Sequence, residues 1–320
     1  RELRTELYDE PYESIDFAAC RHTLAPTDVY VAPSWLLRTA YNTLNLCERI
    51  HSAALRKVAL DRCYERILFE LRSTNYACVS PVNGLLCVLA LWDRDPQHPE
   101  LLSAYRGVDY WTWEDEEEGL RINGAHSHTW DTAFTVQAIM DGPPEAAEQM
   151  KEPLARAHAY LRASQMREEI PERERFFRDP RLGGWCFSDE HHRWPVSDCT
   201  AEALSAALRL EEHMPEEARI GDSWLREAAA FILTRQNKDG GFGSYERSRG
   251  TLALEIVNPA EMFGNCMTER SYVECTASCV AGLARFRARY PNVLSAKIER
   301  AIKRGVARIL AAQLADGSWE

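Results

Sequence analysis

The chain has 320 residues, with 38 Lys and Arg against 49 Asp and Glu, a formal net charge of -11 and a pI near 5.4. Such an acidic balance, without a basic stripe, excludes a nucleic-acid groove, whose affinity rests on neutralising phosphates. The longest apolar run, GLLCVLALW at 84–92, falls far short of the ~18 residues that a membrane-spanning helix requires, and the first residues carry no signal-peptide pattern.

In chain order, LRKVALDRCYERILFEL (55–71) has one charged face and PVNGLLCVLALW (81–92) is apolar almost throughout, an outer and an inner helix of one pair. The polar, non-periodic segment YWTWEDEEEGLRINGAHSH (110–128) is the best boundary between two helical domains, 1–110 and 111–320. Beyond it three segments share a layout: TWDTAFTVQAIM (129–140), SDCTAEALSAAL (197–208) and YVECTASCVAGL (272–283). Each opens with an acid, then a Thr or Cys, then small apolar residues. Each is apolar around most of its circumference, as a helix covered on both sides would be. Between them, WLREAAAFILTRQ and IERAIKRGVARILAAQ carry one charged face. Gln165, Gln236 and Gln313 close the outer stretches, 71 and 77 residues apart, and glycine-aromatic turns (GGW, GGF, GSW) follow them. That is the period of a supersecondary repeat. Strand signals are weak throughout. Inner buried helices alternating with outer amphipathic ones describe an all-α chain folded as an α/α barrel.

The ten cysteines form no CxxC pair, so reduced thiols facing a cytosol are expected. The chain opens on Arg1 and closes on DGSWE, directly after a glycine turn, as a piece of a longer protein would. Asp198 and Cys199 stand together where the 197–208 helix begins. On the residues alone, Ser197 or Asp198 could simply cap that helix, worth about 1 kcal/mol. Glu202 could be a first-turn acid favoured by the helix dipole. Cys275 and Cys279 could be core thiols, and Trp130, Phe187 and Tyr245 core aromatics.

The glutamine-to-tryptophan repeats together with VSDCTAEAL (196–204) resemble the oxidosqualene cyclase family, the lanosterol-synthase-like triterpene cyclases. PSWLLRTAYNTLNL, TWDTAF, DGGFGSYE, NPAEMFGN, YVECT and QLADGSWE look like family blocks, in family order. The resemblance implies that 1–110 is the C-terminal part of an inserted barrel domain and 111–320 the first part of the catalytic barrel, both incomplete. It implies an intramolecular transferase (an isomerase) that cyclises (3S)-2,3-oxidosqualene to a lanosterol-like polycyclic alcohol, without cofactor or metal. Asp198 matches the family's proton donor, and Cys199 and Cys275 the two thiols that hydrogen-bond to it. Glu202 matches a polar chain that returns a proton, and Trp130, Phe187 and Tyr245 match cavity aromatics.

The chemistry accounts for these residue types. The acid has to be in place and protonated before the substrate arrives, and thiols donate hydrogen bonds while staying uncharged. Aromatic faces attract a cation by ~0.5–2 kcal/mol each and cannot easily trap it. A single Asp beside a thiol, where squalene-hopene cyclases carry D-x-D-D-T-A, favours an epoxide over a bare alkene, with a squalene-hopene-type reaction as the alternative. Protein prenyltransferases share the DGGF turn but hold zinc through a D-x-C spacing, whereas Asp198 and Cys199 are adjacent. A non-catalytic helical interaction module is a further reading, which the presence of the acid, thiols and aromatics argues against.

Val196 resembles lanosterol-type enzymes, while His192 is common in cycloartenol-type ones; both are implied to steer the product. INGAHSH (122–128) departs from the family's GTNGSQ or GYNGSQ and puts Gly124 where a Thr or Tyr steers the last deprotonation. Cys266 falls at a channel constriction. APSWLLRTAYNTLNL (32–46) matches a membrane-dipping helix, implying a monotopic protein in one leaflet, on the cytoplasmic face. In the outer repeats, Gln313 is expected to cap its helix and Trp319 to pack on a neighbouring one.

Overall fold

The computed structural model describes residues 2–17, 19–50, 52–212, 214–216, 219–260 and 263–319. They fall into two compact units, one within Arg1–His51 and Gly250–Thr268, the other within Ser52–Arg249 and Glu269–Glu320. Residues on both sides of 110/111 therefore share the second unit.

The first unit holds α1 (Glu2–Leu7), α2 (Trp35–Arg49) and a 3-10 turn, Leu252–Val257, on which α2 packs. Ser34 starts α2: its hydroxyl accepts the Leu37 N–H at 3.1 Å and donates to the Ile256 carbonyl at 2.5 Å. A serine there satisfies one of the amides that a helix start leaves without a partner.

The second unit begins with α3 (Ala53–Ser73), α4 (Pro81–Arg94) and α5 (Leu101–Gly107). Ser80 caps α4 by accepting the Asn83 N–H at 3.2 Å, with Pro81 in the first turn, where its missing N–H costs nothing. Leu71, Cys87, Leu91 and Ala104 form the core of this portion. The opposite face of α4 exposes Val82, Leu86, Leu89 and Trp92, so the helix expected to be covered on both sides is covered on one.

After α5 come a hairpin, β1 (Thr112–Asp115) with antiparallel β2 (Gly119–Ile122), then α6 (His128–Asp141), α7 (Pro144–Gln149) and α8 (Lys151–Ser164). A two-residue pairing, β3 (Trp185–Cys186) with β4 (Pro195–Val196), leads into α9 (Ser197–Glu211). The chain continues through α10 (Asp222–Thr234), α11 (Val273–Arg289) and α12 (Ser295–Ala312). The hairpin occupies the polar segment read as a linker; its short acidic strands pair only with each other, which is why no alternation of burial marked them.

Helix α9 is the axis of the fold. It packs between α6 and α11, with α8 and α10 on its outer side, while α12 lies on α11. All but two residues of α9 are buried, Glu202 and Arg209 being half-exposed. Its small residues, Ala201, Ala203, Ala206 and Ala207, let neighbours approach, and Leu204 is fully buried, worth about 1.5–3 kcal/mol. The all-α alternation of inner and outer helices is what the sequence pattern describes. The burial expected of all three inner segments holds for α9 alone. Helices α6 and α11 bury the side facing α9 and expose Phe134 and Ala138, or Ala277 and Ala281, on another.

The glutamine repeats act as staples. Gln165 donates through Nε2 to the carbonyls of Gly183 (2.8 Å) and Trp224 (3.0 Å), tying the end of α8 to its glycine turn and to α10. Gln236 does the same to Gly240 and Ala301, both at 2.9 Å, tying α10 to α12. Gly183 and Gly240 have φ of +83° and +95°, and a Cβ on either would stand 2.6–2.7 Å from the backbone of the next outer helix. Only glycine fits both demands.

Gln313 caps its turn through Gly317 at 2.9 Å. The Trp319 indole Nε1–H donates to the Ile309 carbonyl of α12 itself at 2.9 Å. Trp185 treats α8 alike, donating to Leu161 at 2.7 Å. In both turns the indole reaches the carbonyl four residues before the glutamine, because the turn folds back on the helix it ends.

Candidate active site

Asp198 lies in the first turn of α9 and is 8% exposed. Its carboxyl has two donors: the Cys275 thiol reaches Oδ2 at 3.2 Å, and the main-chain N–H of Cys199 reaches Oδ1 at 2.8 Å. Neither Ser197 nor Asp198 caps the helix through its side chain. Instead the Ser197 hydroxyl donates to the Gly243 carbonyl at 2.6 Å and its N–H to the Ser244 carbonyl at 2.8 Å, pinning the start of α9 to the 243–245 turn.

Two buried threonines set the register of acid and thiol. Thr200 donates to the Val196 carbonyl, 2.6 Å away, and accepts the Trp185 N–H at 2.9 Å. In α11, Thr276 donates to the Tyr272 carbonyl at 2.6 Å and accepts the Phe242 N–H at 3.0 Å. The third residue of each GGW or GGF turn is thus tied to the threonine of the DCT or ECT block that follows. A buried N–H without such an acceptor costs ~1–3 kcal/mol, so each clamp fixes its inner helix against its turn. With both clamped, Asp198 and Cys275 meet.

Burial, and then the adjacent Asp198 carboxyl, push the Cys275 thiol far above its ordinary range, and Cys199 responds in the same way. Both are protonated at any working pH, so Cys275 can only donate to the carboxyl. The bond that Cys199 makes comes from its backbone; its thiol adjoins the acid. Cys279, one turn beyond Cys275, is fully buried core.

Asp198 opens onto a cavity of about 490 Å³, within the range of small-molecule sites. Trp130, Phe187, Tyr245, His192, Val196 and Gly124 all line it, together with Cys199. The rings of Trp130 and Phe187 stand 6.0 Å apart, and Trp130 packs edge-on to Phe134 at 4.6 Å. Tyr245 packs on Trp194 at 4.9 Å; burial, then Cys199 and Asp198, raise its phenol to about 12, so it stays neutral. His192 is 5% exposed, and burial lowers its pKa to about 4, keeping the ring uncharged.

Two predicted residues lie elsewhere. Glu202 is not in the cavity wall; it accepts Gln137 Nε2–H of α6 at 2.6 Å, on the side of α9 turned toward that helix. Cys266 belongs to the other compact unit, where its thiol donates to Asn258 Oδ1 and the Phe263 carbonyl, each at 3.5 Å. The wall also contains Trp111, His126, Ser244 and Glu274, which the sequence reading did not single out. Trp111, 2% exposed, is held by its indole N–H on the Ala77 carbonyl at 2.6 Å. Its signal was the aromatic cluster YWTW, in a segment read only as a boundary.

A profile of the squalene-hopene cyclase C-terminal domain matches residues 126–320. Similar curated proteins include human lanosterol synthase, 38% identical over 99% of this chain and 44% of its own length. Cycloartenol synthase of Dictyostelium discoideum is 36% identical over the whole chain and 45% of its own length, and protostadienol synthase A of Neosartorya fischeri 34% identical over 99% and 43%. The chain spans less than half the length of these relatives. The match covers the acid, the thiol, the threonine clamps and the staples alike: this chain belongs to the squalene-hopene cyclase C-terminal domain family, and its similarity to human lanosterol synthase extends over 99% of its length.

Proposed function

We propose that the complete protein cyclises 2,3-oxidosqualene by protonating its epoxide from Asp198. The observation that carries this reading is the Cys275 thiol on Asp198 Oδ2 at 3.2 Å, at the head of an aromatic-lined cavity. A protonated Asp198 gives its hydrogen to the oxirane oxygen; the carbon–oxygen bond breaks, and the neighbouring alkene adds to the carbon left electron-poor. Successive alkenes repeat the addition, and loss of one proton closes the sequence with the atoms of the substrate conserved. The carboxylate left behind keeps two donors, the Cys275 thiol and the Cys199 amide, which favour the charged product of the first step. Trp130, Phe187 and Tyr245 offer π faces to the travelling cation at ~0.5–2 kcal/mol each without a nucleophile to capture it.

The single acid paired with a neutral thiol supports the epoxide over the bare alkene, as do the sterol-forming relatives. A lanosterol-like product is the reading that Val196 supports, with His192 and Gly124 lining the same wall as further determinants. Glu202 returns the proton to Asp198 in this reading, through groups beyond its bond to Gln137. We further propose that the protein sits in one membrane leaflet at the cytoplasmic face, as its ten free cysteines suit. No helix among the described residues is long and apolar enough to cross a membrane. Contact through α2 is supported by Trp35 and Leu46, 75% and 61% exposed and nearly eclipsed on the helix. Cys266, in the same unit as α2, would line the substrate's way in.

The test is to express the complete reading frame in yeast lacking its own sterol cyclase and to identify the neutral lipids by mass spectrometry. The expected result is a polycyclic triterpene alcohol from the wild type and none from Asp198→Asn, whose circular dichroism and melting temperature match the parent. Normal cyclisation by that variant would refute the mechanism.

A further inference from the structure

The wall of the cavity at Tyr245 is held by charges that the cyclisation itself does not use. Asp179, 3% exposed, accepts the main-chain N–H of Arg247 at 3.1 Å, the Arg247 guanidinium at 3.0 Å and the Arg249 guanidinium at 2.6 Å. Its own N–H donates to Glu246 at 2.7 Å, and the Arg178 Nε–H donates to the other oxygen of Glu246 at 2.8 Å. Residues 178–179 and 246–249 are thereby knitted together directly after Tyr245. On the other side of the tyrosine, the Ser244 N–H donates to Glu269 at 3.0 Å. A third contact joins the ion pairs to the aromatic wall: the Arg178 guanidinium lies 4.1 Å over the ring of Trp194, which packs on Tyr245.

Burying a carboxylate costs several kcal/mol unless it is paired on nearly every side. Burial pushes the Asp179 carboxyl up, but the bonds from Arg247 and the charges of Arg235 and Arg249 outweigh it and hold the group well below the ordinary range. The group stays an anion, and it holds the 246–249 segment inward. An amide of the same size keeps one acceptor oxygen for the two guanidinium groups, but it lacks the charge, and its NH2 would face the Arg247 main-chain N–H that Oδ2 now accepts.

We propose that Asp179 is a positioning residue for the cyclisation: it fixes the ring of Tyr245 in the cavity wall beside Asp198 and Cys199. The inference rests on the cyclase reading, and it predicts an effect on where the cation cascade ends rather than on how it starts. Asp198 is also held by Thr200 and Cys275, whose bonds involve neither Asp179 nor residues 243–249, so initiation is preserved. A loosened Tyr245 leaves one π face out of register, and the cation is lost before the last ring closes.

The experiment uses the complete purified protein, 2,3-oxidosqualene, and chromatographic separation of incompletely cyclised from fully cyclised products. Asp179→Asn is expected to raise the incompletely cyclised fraction about threefold or more, in the direction of Tyr245→Ala, while kcat and KM for total consumption of the substrate change less than about twofold. Asp179→Glu restores most of the parental ratio. The product ratio per turnover does not depend on how much enzyme is folded, so a purely structural role leaves it unmoved. Should Asp179→Asn fail to fold, Arg247→Gln, which leaves Arg249 and one main-chain amide on the acid, gives a smaller shift of the same sign. A parental ratio in both variants, or in Tyr245→Ala, overturns the proposal. A wild type that does not cyclise the substrate instead overturns the cyclase reading beneath it.

Discussion

Replacing Cys275 by alanine removes a side-chain donor that reaches Asp198 Oδ2 at 3.2 Å in a buried site. The protonated acid loses little, because it still carries its own O–H. The anion formed on proton transfer loses a hydrogen bond to a charged acceptor, worth about 1.5–3 kcal/mol. At 1.36 kcal/mol per tenfold, Cys275→Ala should lower kcat about 10- to 150-fold. Cys275→Ser keeps a donor at a similar place and should recover to within about fivefold of the parent. Cys199→Ala is the control: the bond from position 199 is made by the backbone amide, which alanine retains, so its loss should be well below that of Cys275→Ala. The assay is single-turnover conversion of 2,3-oxidosqualene by the complete protein under saturating enzyme, followed by mass spectrometry. Cys275→Ala within about threefold of wild type, or Cys199→Ala the more damaging of the two, would show that the thiol bond does not support the acid.

Other expectations follow from the same geometry. Gln236→Ala deletes three part-buried bonds, to Gly240 and Ala301 and from Arg304, and should cost about 1–3 kcal/mol, as a thermal melt of the complete protein will show. His192 titrates near 6.5 when unfolded and about 4 when folded, so the unfolded chain binds the extra proton in between, and stability falls as pH drops through that window. The loss reaches about 2 kcal/mol by pH 5 and should be absent in His192→Phe, as melting temperatures at pH 7 and pH 5 will reveal. Nothing lies within 4 Å of where a Cβ on Gly124 would stand, so Gly124→Thr should leave the melting temperature within about 1 °C and change the product profile. An unaltered profile would remove Gly124 from the steering residues.

Much of this was legible in the residues. Period and composition marked α9 as buried, and its alanines and leucines are so. The glutamine spacing located staples whose bonds repeat from Gln165 to Gln236. Asp198 with Cys275 was readable only through the family block, since one acid and one thiol 77 positions apart share no local pattern. The hairpin at 112–122 was not legible, because its strands bury no alternating face. Thr200 and Thr276 stood inside the quoted motifs, yet their partners, the amides of Trp185 and Phe242, are set by tertiary approach. Glu202, like Cys275, was readable only through the family block, and its partner Gln137 is set by the packing of α6 on α9.

The close approach at Gly183 and Gly240 bears on how such a chain can diverge. There the turn lies against the main chain and Cβ of Glu227 in α10 or Arg304 in α12, atoms that almost every residue has, and the bonds from Gln165 and Gln236 end on carbonyls. Main-chain atoms are the same whatever residue supplies them. The solvent side of the outer ring can therefore exchange nearly all its side chains, acquiring new charge or new neighbours, while the spacing between successive helices, and with it the shape of the hollow inside, is inherited unchanged.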